Sequence, residues 1–463
     1  MAAQSAGIIR GIHGIQAFAG QGRILRISVI GLGHVGCPLA AVMAERGHDV
    51  TGIDQAPAVV EQINSAVSQI AEPGLDIVLK NAVSIGKLTA QTSLDGLADA
   101  DAIIIAVGTP IDDNGEADLG ALKGVCRDIA DVIVDGQIVI LKSTVPPGTT
   151  DSVVVPILSA NADIDVAFCP ERLAEGQAIR DLRRLPVVVG GMTPKATQRA
   201  TVFFESALGV DCIPVSGTRS SELVKLADNL WIDLNIALAN EIAKLADTLG
   251  VDAHEIISAA NSLPKGQHHV NILSPSMGVG GSCLTKDPWF LEAFARDNGI
   301  EMHIPAVSRG INDGMPAYAV GRITDALSRA RPDILPGDLK IAVLGITYKS
   351  DTSDCRFSPA KPAIEVLIDK GYDVAIHDPL VTPVDARMVT DLPLQPSVDE
   401  TIEGADCVAF FTAHSAFSNL DADLLGTRLA HGAVVFDGRM LFSPKAVSDL
   451  KKHGLQYVGV GRT

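Results

Sequence analysis

The sequence predicts an α/β protein: two doubly wound units, each a parallel sheet flanked by helices, joined by one long central helix. Three observations carry that expectation. Short apolar runs rich in Val, Ile and Ala alternate with helical stretches up to about residue 215. A stretch without proline or glycine then runs from Ser220 to Leu249. After Pro336 the order strand, glycine turn, helix, strand begins again.

The first strand is the run ending Arg26-Ile27-Ser28-Val29-Ile30, and Pro38 to Arg46 reads as the helix after it, stopped by Gly47. Val50 to Asp54 is the next strand, and buried strands are expected at Ala102–Val107, Ile138–Lys142, Val166–Cys169 and Val187–Val189. From Ser220 to Leu249, Leu223, Leu226, Leu230, Leu234, Leu238, Ile242 and Leu245 recur every three or four residues. That spacing is one helix, about 45 Å long at 1.5 Å per residue, too long for one small domain to cover. It is expected to join two lobes and pack against a second copy of the chain; a core helix within a monomer is the plain alternative. The second pattern has its strand at Lys340–Gly345, a helix at Pro362–Lys370 and a strand ending His377-Asp378. The expected organisation is an N-terminal extension (1–25), a nucleotide-binding domain (26–215), a central helical domain (216–325) and a second nucleotide-type domain (326–463).

Composition narrows the function. A chain of 463 residues exceeds one core, and a net charge of −18 opposes non-specific binding to nucleic acid or anionic membrane. Seven scattered cysteines without a CxxC pair support neither a disulfide framework nor a metal site, so a reducing cytoplasm is expected. The expectation is no metal, no nucleic acid and no membrane span.

Gly31-Leu32-Gly33-His34-Val35-Gly36 sits between the first strand and helix, and Asp54 follows Gly36 by eighteen positions. The glycines permit a tight turn and close approach of a pyrophosphate, the helix N-terminus supplies positive charge, and Asp54 meets the ribose hydroxyls. Asp54 would repel a 2′-phosphate, so NAD is the expected cofactor. Gly108-Thr109-Pro110 and Ser143-Thr144 each follow a strand, at the carboxyl edge of the sheet where ligands bind; plain turns are the alternative.

Glu171 and Glu175, either side of the Arg172 that is a candidate substrate contact, lie four apart, one helical turn if Glu171 begins a helix, and so could share one reacting site; a solvated helix face is the alternative. Lys225 and Asn229 are also four apart, beside the leucine stripes of the long helix, where a lysine is partly desolvated and suited to proton transfer or charge stabilisation; a snorkelling interface lysine is the alternative. Cys283 stands in Gly278-Val279-Gly280-Gly281-Ser282-Cys283-Leu284-Thr285-Lys286-Asp287. A thiolate there could attack an aldehyde, lose hydride from the adduct and leave a thioester for water to cleave. A small buried hydrophobe is the alternative role.

Taken together, these motifs, with Ser143 to Thr149, Cys169 to Arg172, Glu175-Gly176 and Lys349 to Pro359, resemble the nucleotide-sugar 6-dehydrogenases, the family oxidising UDP-glucose, UDP-N-acetylmannosamine and UDP-N-acetylglucosamine. The resemblance runs along nearly the whole chain after residue 25. It implies two Rossmann-like domains joined by a dimer-forming helix, and a four-electron, NAD-dependent oxidation of the sugar C6 alcohol to a uronate, with Cys283 carrying the thioester. It also implies that Asp287 activates water, Lys225 and Asn229 stabilise charge on oxygen, and Thr144, Glu171 and Glu175 arrange water and cofactor. Lys349 and Arg356 resemble the groups that meet the uridine diphosphate, and Gly280 lines the sugar. The chain departs from the N-acetylmannosamine branch at His269, where that branch carries arginine ahead of Val-Asn-Ile; Lys265, His268 and His269 are the candidates to replace it.

The resulting expectation is a cytoplasmic homodimer, or higher homo-oligomer, that makes a UDP-uronate for a surface polysaccharide. UDP-N-acetylhexosamine is favoured over UDP-glucose, because Pro288-Trp289-Phe290 and His269 to Leu273 resemble the hexosamine branch while Ser282-Cys283 and Lys286-Asp287 resemble the glucose branch. A single-step NAD dehydrogenase and a non-catalytic nucleotide-sugar sensor are the alternatives.

Overall fold

The computed structural model describes residues 23–68, 70–112 and 116–462. The expected N-terminal extension therefore lies, up to residue 22, outside the described residues. The chain divides into two compact units: one comprises the chain up to Asp228 with Ala293–Ile300, the other Asn229–Glu292 with the chain from Glu301 onward.

The first unit is built on an eight-stranded sheet: β1 (Arg26–Ile30), β2 (Asp49–Ile53), β3 (Leu88–Gln91), β4 (Ala102–Ile105), β5 (Ile138–Leu141), β6 (Asp165–Phe168), β7 (Val187–Gly191) and β8 (Cys212–Pro214), in the order β3-β2-β1-β4-β5-β6-β7-β8. Every pairing is parallel except β6 with β7. Residues of β4, β5 and β6 are buried on both faces, which is why they read as unbroken apolar runs. The strand order reverses direction at β1 and β4, and the carboxyl ends there open the crevice in which such sheets hold ligands. The helix Gly36–Glu45 follows β1, and its face of Leu39, Ala40, Met43 and Ala44 packs on the sheet.

In the second unit a hairpin pairs β9 (Pro264–Lys265) with β10 (His268–His269). β11 (Lys340–Leu344), β12 (Asp373–His377), β13 (Cys407–Phe410), β14 (Val434–Asp437) and β15 (Gln456–Gly459) form an all-parallel sheet ordered β12-β11-β13-β14-β15. The helices Met315–Ala330 and Ala360–Asp369 cover one face.

The long helix runs from Thr218 to Leu249. Its buried stripe takes in Leu226 and Leu230 of the leucine series and leaves Leu223, Leu238 and Leu245 outside. Ser221, Glu222, Lys225, Leu226, Asn229, Asp233, Asn240 and Ala243 face inward, whereas Leu223, Trp231, Leu238 and Leu245 are exposed. The helix thus turns its polar groups toward the protein. Each of them needs a partner there, because burying an unpaired polar group is costly.

Candidate active site

In the first unit the glycine turn is sterically required. Gly31 has φ +91°, a left-handed conformation that L side chains rarely adopt, and a Cβ on Gly36 would sit 1.8 Å from the Gly31 carbonyl oxygen. Nothing lies within 4 Å of a Cβ at Gly33 or Gly108, so both leave open space for a ligand. Val35 precedes the helix without a side-chain cap and His34 beside it is exposed; the Cys37 and Leu39 N–H groups serve the Gly33 and Val35 carbonyls and Pro38 has none, so what the helix start offers an anion is chiefly its positive end. Asp54 sits just past β2, with Oδ2 accepting from Leu32 N–H at 2.9 Å and Oδ1 from Ala56 N–H at 3.0 Å. This acid orders the turn while standing at the strand end where a ribose would lie. These residues fit NAD.

The loops after β4 and β5 are laced together. Thr109 Oγ1 donates to the Thr144 carbonyl at 2.5 Å, and Ser143 Oγ to the Val107 carbonyl at 2.7 Å. Pro110 continues the first of these loops. The structure therefore brings Gly108, Thr109, Ser143 and Thr144 to the carboxyl edge beside the glycine turn.

Glu171 does not begin a helix. Its Oε1 accepts from the N–H groups of Arg172 (2.7 Å) and Leu173 (2.9 Å), as a capping group would, and the chain runs on irregularly until the helix Ala178–Leu182. Gly176, at φ +80°, breaks the segment, and Glu72 takes the N–H groups of Gly176 and Ala178. The argument that Glu171 and Glu175 share one helical turn fails for this reason; Glu175 sits in the turn before Gly176. Arg172 reaches Asp228 at 3.3 Å. What positions Glu171 is a residue the sequence reading passed over. Lys142, at the end of β5, places its Nζ 3.3 Å from Glu171 Oε2 and 3.3 Å from the Cys169 carbonyl, with both charged groups largely buried.

Glu222 was also missed. It lies three residues before Lys225 on the buried stripe, and its carboxylate accepts from the N–H groups of Gly148 (2.5 Å) and Thr150 (2.8 Å). Burial pushes its carboxyl up, against the pull of those hydrogen bonds. The long helix thereby anchors the loop that carries Thr144. Lys225 is 8% exposed.

In the second unit, Asn229 is 7% exposed and donates from Nδ2 to Asp287 Oδ2 at 2.5 Å. Asp287 is wholly buried, and its other oxygen takes Lys286 Nζ at 2.6 Å. A charge with both oxygens engaged is tolerated in such a place. Cys283 heads the same turn, its carbonyl accepting from the N–H groups of Lys286 and Asp287, and it is exposed. Of the other cysteines, Cys212 is half-buried and Cys37, Cys126, Cys169, Cys355 and Cys407 are buried.

Glycines press the thiol loop onto its neighbours. A Cβ on Gly280 would lie 2.3 Å from the Phe357 carbonyl oxygen, and one on Gly281 would lie 2.6 Å from the Tyr348 ring. Beneath the loop, fully buried Arg309 bonds Asp233 at 2.7 Å and the Val279 carbonyl at 3.4 Å, while Asn240 accepts from Ser276 N–H. Arg439 donates to the carbonyls of Phe411, Gly278 and Tyr348, linking the thiol loop to the segment that carries Lys349 and Arg356. Burial lowers its guanidinium to about 10. Arg356 forms a fork with Asp354, its Nε 2.9 Å from one carboxylate oxygen. Lys265, His268 and His269 lie exposed on the β9–β10 hairpin.

A glycine turn and acid suited to NAD in one unit, and a single exposed thiol beside a buried acid in the other, define the class: a nicotinamide-dependent oxidoreductase. The chain belongs to the UDP-glucose/GDP-mannose dehydrogenase family: residues 25–208 match its NAD binding domain, 219–314 its central domain and 342–444 its UDP binding domain. It is an NAD-dependent UDP-sugar dehydrogenase. It is 35% identical over 443 residues to the UDP-N-acetyl-D-mannosamine dehydrogenase of Pyrococcus horikoshii, covering 95% of this chain and 99% of that one. The Escherichia coli K12 enzyme of that name is 34% identical, covering 86% and 95%. Among solved structures, the P. horikoshii enzyme superposes with a TM-score of 0.84 at 34% identity over 95% of this chain and 99% of that one. A UDP-glucose dehydrogenase from Pyrobaculum islandicum gives 0.84 at 30% identity over 96% and 100%. Among the described residues no helix is long and apolar enough to cross a membrane.

Proposed function

We propose that this enzyme oxidises the C6 alcohol of a UDP-N-acetylhexosamine, with UDP-N-acetylmannosamine favoured, to the uronate through a thioester on Cys283. The observation that carries the reading is the exposure of Cys283 alone among seven cysteines, one turn from a buried Asp287 held by Asn229 and Lys286. NAD, when bound, accepts a hydride in each of two successive oxidations. In the first, the C6 hydroxyl gives up its proton and becomes an aldehyde, with Lys225 and Asn229 stabilising charge on the oxygen. Cys283 Sγ then bonds to the aldehyde carbon, giving a thiohemiacetal whose oxidation leaves the thioester. Water adds to the thioester carbon, the carbon–sulfur bond breaks, and the acid leaves with the thiol restored.

In this scheme Asp287 orients or deprotonates the water, and Thr144, Glu171 and Glu175 arrange water and cofactor. Gly31, Gly33, His34, Val35, Gly36 and Asp54, with Gly108, Thr109, Pro110 and Ser143, hold NAD. Arg172, His269 and Gly280 meet the sugar, and Lys349 and Arg356 the diphosphate. Residues 26–215, 216–325 and 326–463 then act as NAD-binding, central and UDP-binding domains. Exposed Leu223, Trp231, Leu238 and Leu245 on the long helix support a homodimer. The absence of a spanning helix among the described residues fits an enzyme of the cytoplasm.

The names of the P. horikoshii and E. coli relatives support the hexosamine, and the P. islandicum neighbour keeps UDP-glucose as the second reading. Steady-state kinetics with UDP-N-acetylmannosamine, UDP-N-acetylglucosamine and UDP-glucose separate them. The hexosamine reading requires the highest kcat/KM on one of the first two; a clear preference for UDP-glucose overturns it.

A further inference from the structure

His414 lies in the second unit, four residues past β13, with its side chain wholly enclosed. Its two ring nitrogens face different kinds of group. Nδ1 lies 2.9 Å from the backbone N–H of Asp351. That group can only donate, so Nδ1 must present a lone pair. Nε2 lies 3.0 Å from Asp378 Oδ2 and 3.2 Å from Thr347 Oγ1, and carries the ring hydrogen toward them. Asp378, just past β12, also accepts from the N–H groups of Ile346 (2.8 Å) and Leu380 (3.0 Å). The imidazole is therefore neutral and held in one tautomer.

The segment it grips contains a left-handed turn. Asp351 has φ 57°, a left-handed conformation unfavourable for a residue with a Cβ. Other bonds hold the same turn: Thr412 Oγ1 donates to the Thr347 carbonyl, Arg439 to the Tyr348 carbonyl and Ser415 N–H to Asp351 Oδ1, while within the turn Thr347 Oγ1 and Thr352 Oγ1 both donate to the Lys349 carbonyl. Among these, His414 accepts the N–H of the strained residue itself.

We propose that His414 is a positioning residue of the nucleotide site: as a neutral ring with its hydrogen on Nε2, it offers Nδ1 to Asp351 N–H and so places Lys349 against the diphosphate of a nucleoside diphosphate. The inference rests on the reading that Lys349 meets that diphosphate. Asparagine and glutamine dissect it, since an asparagine oxygen stands near Nδ1 and a glutamine nitrogen near Nε2. UDP is titrated calorimetrically into the full-length wild type and into the His414→Asn, His414→Gln, His414→Phe and Lys349→Ala variants, with thermal midpoints recorded for each.

His414→Asn, which keeps the acceptor, is expected to bind UDP within about threefold of wild type, whereas His414→Gln and His414→Phe lose about tenfold. In turnover, the loss falls on KM for the UDP-sugar, with kcat and KM for NAD unchanged. His414→Gln, which keeps the donor to Asp378, retains its thermal midpoint, so its weak binding is not unfolding. Equal affinity of the Asn and Gln variants, or rescue by Gln instead of Asn, overturns the proposal, and that comparison survives if His414→Phe does not fold. If Lys349→Ala binds UDP as wild type does, the underlying nucleotide reading fails; if Lys349→Ala weakens binding and no His414 variant does, only the present inference fails.

Discussion

Replacing Lys142 by methionine isolates a largely buried ion pair of the first unit. Methionine keeps most of the stem's volume and removes only the ammonium, so cavity effects are small. The ammonium lies 3.3 Å from Glu171 Oε2, and its side chain is 4% exposed against 11% for Glu171. Breaking a buried pair by removing one partner costs about 3–5 kcal/mol, because it strands the other charge. Here the loss should fall near the lower end, about 3 kcal/mol, since Glu171 Oε1 keeps the N–H groups of Arg172 and Leu173. Urea unfolding of Lys142→Met, Glu171→Met and the double variant measures it as a cycle. The double variant should be less destabilised than the sum of the singles by about 2 kcal/mol. Turnover should fall in Lys142→Met, because the ammonium orients Glu171, which arranges water and cofactor in the proposed scheme. A stability loss below about 1 kcal/mol, the range of exposed pairs, would refute the reasoning.

Gly36→Ala, whose methyl would meet the Gly31 carbonyl oxygen at 1.8 Å, must move the turn and should weaken NAD binding at least about tenfold by calorimetry; an unchanged Kd contradicts the turn's role. Iodoacetamide at about pH 8 should label one thiol of the native protein, Cys283, because burial pushes Cys37, Cys126, Cys169, Cys212 and Cys355 up to about 12; peptide mapping that finds another thiol first would reverse the assignment. Burial alone would raise Asp378, but His414 and the Ile346 and Leu380 N–H groups outweigh it and hold the carboxyl below its ordinary value of 3.8. Its stabilisation is thus fully present above that value and lost as pH falls through the lower folded one. Asp378→Asn should be less stable than wild type at about pH 6 in urea unfolding, with the gap closing in acid; a gap independent of pH excludes this linkage.

Much of the architecture was readable from the sequence because it depends on local patterns. Apolar runs of four or five residues marked β1, β4, β5 and β11 to within a residue or two, and the stretch free of glycine and proline marked the helix Thr218–Leu249. The glycine turn and the acid that orders it were equally readable, since Gly31, Gly33, Gly36 and Asp54 are close in sequence. What escaped depends on distant partners. Hydrophobic periodicity placed the leucines of the long helix but could not show that its inward side also carries Glu222, Asn229 and Asp233, which pair with Gly148, Asp287 and Arg309 across gaps of 74, 58 and 76 residues. Spacing suggested a helix at Glu171, where the carboxylate instead takes its own neighbours' N–H groups. No local pattern pairs His414 with Asp378, 36 residues apart and past the ends of β13 and β12, the two strands that flank β11.

The central claim is that one thiol links two oxidations. NADH formed per UDP-sugar consumed, measured by absorbance with the products separated chromatographically, tests it in wild type and Cys283→Ala. Wild type should form two NADH and one UDP-uronate per sugar, and the variant should release no uronate. One NADH per sugar in wild type, or full uronate production without the thiol, would contradict it.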